Sequence, residues 1–322
     1  MSLTNSQKIF NCLQERLGDN LRLLLIPYKR DVWDSLEGIY RIANNTPGCH
    51  AFVMPIPYRI KGIAKPCWLM DDWSCICSRD TLDYQKKPEK GDFDAILIHN
   101  PYDGANYVTS VHPEFYSEKL VGLSRALCFV PYGIGTICLI APGVVNADIV
   151  FAENEEVVRS FREQVKAQGA TDEELDIICR KFVVTGSPKL DLNLNQPVPE
   201  EWIQRAKGKK VVLITTSVSA FLCDPSGEMA KLGNIINEYG GREDVVLIWR
   251  EHPLMKATIL TMRPQCVEAY RKFQQNFIDQ DLGIIDKTND YRVAFSIADV
   301  LYSDPSSLVE TWKQTGKELH VI

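Results

Sequence analysis

Asp191–Glu201, DLNLNQPVPEE, is the stretch on which the organisation of this chain turns. It is polar, carries two prolines and shows neither helical nor strand periodicity, the composition of an inter-domain linker. The texture on its two sides is the same. Before it, Leu21–Tyr28 (LRLLLIPY), Ala51–Pro55, Phe93–His99 (FDAILIH), Ala126–Pro131 (ALCFVP), Ala147–Ala152 (ADIVFA) and Phe182–Thr185 (FVVT) are short apolar runs bounded by Gly, Pro, Asn or Asp. Between them lie amphipathic stretches. Trp33–Ala43 has helical spacing at Trp33, Leu36, Ile39, Tyr40 and Ala43, and Asn154 caps a helix over Glu155–Ala167. After the linker the series restarts with strands at Lys210–Thr215 (KVVLIT), Val245–Trp249 (VVLIW), Leu282–Ile285, Asp299–Tyr302 (DVLY) and Leu319–Ile322. Helices near Glu228–Tyr239, Val267–Phe277, Tyr291–Ile297 and Ser307–Gln314 separate them.

Strands that are apolar throughout and alternate with helices imply parallel sheets covered on both faces. The expected fold class is therefore α/β, with two Rossmann-like domains facing a ligand cleft. The first spans 1–190 and the second spans 191–322. The second series stops at the strand LHVI with no helix after it, which fits either a short native domain or a truncated one. Length agrees with two domains, because 322 residues exceed what one hydrophobic core usually serves.

Composition excludes several classes of function. At 45% hydrophobic and 24% charged residues the chain is neither disordered nor a coiled coil. A net charge of −6 supplies no global positive field, so nucleic acid is not an expected partner. The longest apolar candidate for a membrane span, Leu127–Val145, is broken by Pro131, Gly133, Gly135, Pro142 and Gly143. The polar first twenty residues lack the apolar segment of a signal peptide, so a cytoplasmic location with reduced cysteines is expected. Cys75 and Cys77 form a CxC with Cys67 upstream, but no second pair completes a tetrahedral site, and no metal is expected.

In open α/β sheets ligands collect at the carboxyl ends of strands, and the polar motifs fall there. In Ala298–Glu310 (ADVLYSDPSSLVE) a strand runs into Ser303, Asp304, Ser306 and Ser307 and then a helix, an anion cradle with Glu310 placed for a ribose. In Val245–Pro253 (VVLIWREHP) a strand emits Arg250 and His252, a pair suited to stabilising phosphate charge. His252 and the Ser306–Ser307 pair are expected to converge on one phosphate. Val184–Asp191 (VTGSPKLD) offers Gly186 for backbone freedom and Lys189 for an anion. KVVLITTSVS ends a strand on Thr215 and Thr216. In the first half His99, Asn100 and Asp103 follow a strand and Tyr132 follows another, placing polar and aromatic groups at the cleft edge. No GxGxxG, P-loop, HExxH or Gly-x-Ser-x-Gly motif is present.

Taken in order, VTGSPKLD, KKVVLITTS, VVLIWREHP and ADVLYSDPSSLVETWKQTGKELHVI resemble the donor-binding half of the CDP-glycerol glycerophosphotransferases, the teichoic-acid primases and polymerases of GT-B fold. The matching positions are Gly186, Pro188, Lys189 (for arginine), Asp191, Thr216, His252, Pro253, Asp304, Ser306 and Ser307. The resemblance implies transfer of glycerol phosphate, or a related polyol phosphate, from a CDP-linked donor to a membrane-bound cell-envelope acceptor. His252 would act on the departing CMP, and no cofactor is required beyond the nucleotide-linked donor. It also implies that 1–190, with His99, Asn100 and Asp103, is the acceptor side, that 191–322 binds the donor nucleotide, and that the protein takes a peripheral position at the inner face of the cell membrane. Where the family carries a His-Gly-Thr whose histidine activates the acceptor, this chain has Tyr132–Gly133 in VPYGIGT, leaving Tyr132 as the catalytic candidate and a poor base at neutral pH. Two alternatives stand beside this reading: a GT-B glycosyltransferase using a nucleotide sugar, and a degenerate module that binds without turnover.

Overall fold

The computed structural model describes residues 3–62, 67–135 and 140–322. Contacts divide the chain in two: described residues up to 60 and from 67 to 191 form one unit, and residues 61–62 with 192–322 form the other. The strands of the first are β1 (Arg22–Ile26), β2 (His50–Val53), β3 (Tyr58–Ile60), β4 (Ala95–Ile98), β5 (Thr109–Val111), β6 (Ala126–Phe129), β7 (Ile149–Ala152) and β8 (Phe182–Val184). Those of the second are β9 (Lys210–Thr216), β10 (Val245–Glu251), β11 (Ile284–Ile285), β12 (Val300–Ser303) and β13 (Glu318–Val321).

Each unit is built on one parallel sheet. The first has strand order β2-β1-β4-β6-β7-β8 and the second β11-β10-β9-β12-β13. The cause is visible residue by residue. Along β1, Leu23 and Leu25 belong to one buried cluster while Leu24 and Ile26 belong to another on the opposite face. Along β9, Val212 and Ile214 face one core and Val211 and Leu213 the other. A strand whose successive side chains point to opposite faces and are all apolar can only be stable with helices on both sides. Both sheets also reverse direction of growth, at the β1/β4 boundary in the first and the β9/β12 boundary in the second. Such switch points open a crevice at the carboxyl edge, where loops diverge to opposite faces.

Two elements were not legible in the expected series. The antiparallel pair β3–β5 is only three residues long on each side and has no apolar run. The polar N-terminus forms a helix, Asn5–Leu17, capped by Thr4 and burying Ile9, Phe10 and Leu13. The stretch read as a free linker is tied at both ends. The Asp191 carboxylate accepts the backbone N–H groups of Asn5 (2.8 Å) and Ser6 (2.7 Å), while Leu192, Leu194 and Val198 pack against the core of the second unit.

The VTGSPKLD turn is likewise structural at several positions. Gly186 has φ +86°, and a Cβ there would stand 2.2 Å from Asn5 Oδ1, so only glycine fits. Lys189 differs from its expected donor-binding role. It is 5% exposed, and its Nζ donates to both carboxylate oxygens of Asp34, at 2.8 and 2.7 Å, on the helix Asp34–Asn45. A buried ammonium matched to a buried carboxylate would have to break that pair to meet a substrate anion.

Removing one member of a buried pair strands the other charge, at a cost of roughly 3–5 kcal/mol. Lys189→Ala is therefore expected to destabilise the protein by about that amount in urea unfolding, and Lys189→Met with Asp34→Leu to recover most of it. Equal stability of the wild type and Lys189→Ala would show that the pair carries no such weight.

Candidate functional site

At the switch point of the second sheet, neighbouring strand ends are sewn together by short side chains. The pairing of Thr215 with Ser303 in the β9–β12 register brings their hydroxyls together, and Thr215 Oγ1 donates to Ser303 Oγ at 2.7 Å. Ser303 Oγ donates in turn to the Asp304 carbonyl at 2.8 Å. Just beyond the two strands, the Ser217 N–H donates to Asp304 Oδ2 at 2.7 Å, and Ser217 Oγ caps the helix Val218–Cys223. The other oxygen of Asp304 accepts from Lys231 Nζ at 2.6 Å, and Lys231 also reaches Glu228 (2.7 Å) and the Ile322 carbonyl (3.4 Å). Asp304 is 1% exposed. One buried carboxylate thus sets the loops that leave β9 and β12.

The charges here are mutually dependent. Burial raises the Glu228 pKa, and the nearby Asp304 carboxylate adds to the rise while Lys231 opposes it. For Lys231 burial works downward, but its bonds to Asp304 and Glu228 outweigh it and the net shift is upward. The ammonium is consequently spent on holding the frame. What remains to meet an anion is the turn itself. Ser306 occupies the cap position of the helix Ser307–Lys313, yet its side chain makes no capping bond and its Oγ lies 3.5 Å from Ser303 Oγ. Ser306 and Ser307 are half-buried, and Glu310 is exposed and paired with Lys313 at 2.7 Å. Thr216 is half-buried and lines a recess with Ser217, Glu228, Met255 and Tyr270.

On the other side of β9, β10 delivers His252. It is exposed, and its Nδ1 accepts the N–H of Leu254 at 3.1 Å, which places the proton of the neutral ring on Nε2. Strands lie about 4.8 Å apart, so the loops after β10 and β12, separated by β9, are roughly 10 Å apart at their roots. That spacing suits two groups flanking a diphosphate better than the expected convergence on a single phosphate. Arg250 has a different task from the ribose or phosphate contact expected of it. It is 5% exposed; its Nη1 donates to Asp286 Oδ2 (2.6 Å) and to the carbonyl (3.1 Å) and hydroxyl (3.2 Å) of Thr288, pinning the loop after β11.

The acceptor-side candidates form the floor of the first sheet's switch point. His99 ends β4 fully buried. Its Nε2 accepts the Tyr28 N–H at 3.3 Å and its Nδ1 pairs with Ser35 Oγ at 3.0 Å, so both nitrogens are occupied. Burial, with the Lys189 charge adding to it, pulls its pKa down to about 3. Asn100 is buried and accepts the Tyr102 N–H at 2.8 Å. Asp103, buried with φ 49°, accepts the N–H and hydroxyl of Ser117, and burial raises its pKa against those bonds. These three shape the crevice and are occupied within it. Tyr132 packs edge-on to Tyr28 and His99, at 6.4 and 6.1 Å between centroids. Burial, then the neighbouring Tyr102, pushes its hydroxyl pKa above the usual tyrosine value, so the phenol is a proton donor at neutral pH. Thr136 of VPYGIGT, like part of the Leu127–Val145 run, lies outside the described residues.

Sequence reasoning missed Lys231 and Glu228. Their i,i+3 spacing on the helix Pro225–Tyr239 was a signal, but it is equally that of an ordinary surface ion pair, and only the approach of Asp304 distinguishes it.

No family model matches the chain, and no curated protein matches its sequence. Solved structures do match its fold. A variant of the wall teichoic acid polymerase TagF soaked with CDPG aligns at TM-score 0.52 with 13% identity, over 99% of this chain and 74% of that one. The UDP-GlcNAc 2-epimerase of Methanocaldococcus jannaschii, in complex with UDP-GlcNAc and UDP, aligns at 0.56 with 13% identity over 92% and 83%. S. aureus MnaA with UDP aligns at 0.54 with 14% identity over 94% and 79%. The fold is α/β with two Rossmann-like units of the GT-B kind, as the sequence led one to expect.

His99 gives this arrangement a pH signature. Its folded pKa of about 3 lies below the ordinary value of 6.5, so between those values the unfolded chain binds more protons than the folded one. Stability is expected to be complete above about pH 6.5 and to fall on acidification towards pH 3, by at most roughly 1.4 kcal/mol per pH unit from this group. Urea midpoints measured across that range should show a smaller slope for His99→Gln than for the wild type.

Proposed function

We propose that the chain is a transferase taking a nucleotide-diphosphate-linked donor at the carboxyl edge of its second sheet, and that the donor is CDP-glycerol or a related CDP-polyol. The observation that carries this reading is the β9/β12 crevice. A buried Asp304 fixes both loops, and beside it the Ser306 hydroxyl holds the cap position without capping. A site arranged this way presents hydroxyls and backbone N–H groups to an anion without a metal ion. His252, across β9, donates from Nε2 towards the phosphate that departs with the nucleoside, stabilising charge that develops as the bond breaks. The polyol phosphate passes to a hydroxyl of a cell-envelope polymer. In this reading the enzyme works at the inner face of the cell membrane as a peripheral protein; no helix among the described residues is long and apolar enough to cross it.

A nucleotide-sugar donor is the second reading, and one observation favours it. Tyr132 stands where the glycerophosphotransferases carry their acceptor-activating histidine, and its raised pKa denies it that role. The likeness to structures described as UDP-GlcNAc 2-epimerases, at TM-scores of 0.54 and 0.56, is as good as that to TagF. Donor binding without turnover is the outcome that the loss of the base would leave.

Isothermal titration with CDP-glycerol, CDP-ribitol, UDP-GlcNAc and CMP separates these. Tightest binding by the CDP-polyols is expected, with CMP released in the presence of a polyol-phosphate acceptor. His252→Ala should slow that release on the order of 10²–10³-fold with little change in donor affinity. Ser306→Ala with Ser307→Ala should weaken affinity more than rate, because both the ground state and the transition state use those hydroxyls. A preference for UDP-GlcNAc would reject the cytidine donor, and binding with no CMP formed would reject turnover.

A further inference from the structure

The second unit carries a further feature on its outer layer, at the edge of the sheet opposite the β9/β12 crevice. A groove there runs between the helices Pro225–Tyr239 and Val267–Asp279 and reaches Gly240 and Leu282, on the segments that lead into β10 and β11. The space open to the centre of a water-sized sphere is about 240 Å³. A single water needs roughly 10–15 Å³ on that measure, so the groove has room for a six-membered ring with its substituents. Among the described residues, none that lines it carries a charged side chain.

One wall of the groove is Gly233, in the middle of the helix Pro225–Tyr239, where glycine is less stable than alanine. Packing does not demand it. A Cβ there would meet the Phe273 ring at 3.6 Å, an ordinary van der Waals contact. The missing methyl weakens the helix and leaves the groove wider over that ring. Phe273 is half-buried, and an edge-on contact with Trp249 at 5.8 Å and 84° fixes its plane. The polar side of the groove is made of carboxamides, Asn237 on one helix and Asn276 and Gln280 on the other. Gln280 Nε2 donates to Asn276 Oδ1 at 2.8 Å, which orients both amides. Asn276 Nδ2 then remains as a donor beside Gln280 Oε1 as an acceptor.

An aromatic ring bordered by oriented carboxamides, with no charge in the wall, matches a ligand that has C–H groups on its face and hydroxyls on its rim. We propose that this groove is an accessory site for one uncharged pyranose ring of a glycan, bound without nucleotide or phosphate. The C–H face lies on Phe273, whose ring is negative on its own face. Neighbouring hydroxyls accept from Asn276 Nδ2 and donate to Gln280 Oε1. Both helices end beside the groove, at Gly240 and Gln280, with no basic residue in the last turn, so their negative ends disfavour a phosphate or carboxylate. Water meets the carboxamides equally well but gains nothing from the aromatic face or the opening at Gly233. The groove and the donor crevice lie at opposite edges of one sheet, so this site does not rest on the donor reading above.

Saturation-transfer NMR on the full chain tests this with methyl β-glucopyranoside, methyl β-glucuronide and glycerol as separate probes. The ring C–H protons of the glucoside should receive saturation. The glucuronide, the same ring with a carboxylate, should receive markedly less, and glycerol none. Asn276→Asp keeps an acceptor for Gln280 Nε2 but loses the donor, and should weaken glucoside binding about 5–10-fold, the equivalent of one hydrogen bond. Gly233→Ala should raise the melting temperature while weakening binding, and Gly233→Leu should abolish binding by filling the groove. The glucoside signal should persist in excess CDP-glycerol. A lower melting temperature for Gly233→Ala would mean that the fold itself requires the glycine, and would overturn the assignment. So would an unsaturated glucoside, equal binding of the glucuronide, an indifferent Gly233→Leu or Asn276→Asp, or displacement by CDP-glycerol. Titration of the wild type with CDP-glycerol is a separate measurement, so the two readings fail separately.

Discussion

The rest of the C-terminal unit's site depends on the Asp304 carboxylate. A charge at 1% exposure is tolerable only if its oxygens are satisfied, and here the Ser217 N–H takes one and the Lys231 ammonium the other. Because Ser217 begins the helix after β9 and Asp304 begins the turn after β12, the interaction sets the spacing of two loops that the sheet alone leaves to diverge. The neighbouring Thr215–Ser303 bond does the same at the ends of the strands themselves. A crevice held this way is organised before any ligand arrives, which is what electrostatic binding of a diphosphate requires.

The same economy explains which charged residues are not available. Lys189 and Arg250 are the cations that the sequence motifs assign to an anion, and Lys231, absent from those motifs, stands beside Asp304. Each is instead matched to a carboxylate of the frame: Asp34, Asp286 and Asp304. Ordered loops at a sheet edge need buried polar anchors, and long cationic side chains supply them best when paired. Under the function proposed above, recognition of an anion would fall to short hydroxyls, N–H groups and the exposed imidazole of His252. In the first unit the same logic applies to His99, Asn100 and Asp103, each hydrogen-bonded within the unit, while Tyr132 packs edge-on to His99.

Fold likeness to a CDPG-soaked polymerase, to UDP-bound MnaA and to a UDP-bound epimerase, all near 13–14% identity, marks the scaffold and not the chemistry. The choice between them rests on side chains. Under either proposed donor, Ser306 and His252 would meet the diphosphate, and what distinguishes the donors lies in other side chains.

The strand series was legible in the sequence because its cause is local. Runs such as VVLI within KVVLIT, and VVLIW, are continuously apolar, the pattern of strands buried on both faces, and the eleven short runs read from the sequence correspond to the eleven strands of the two parallel sheets. The pair β3–β5 and the helix Asn5–Leu17 escaped because short or polar-flanked elements draw their stability from what they dock against. The site motifs were legible as positions, at the ends of β8, β9, β10 and β12, since chain order and parallel pairing dictate that edge. Which side chain at each end faces a ligand and which is consumed by the frame was decided only in three dimensions. Lys189 meets Asp34 across 155 positions and Lys231 meets Asp304 across 73, and no local pattern encodes a partner that distant; the pairing energy exists only once the sheet has brought the two together.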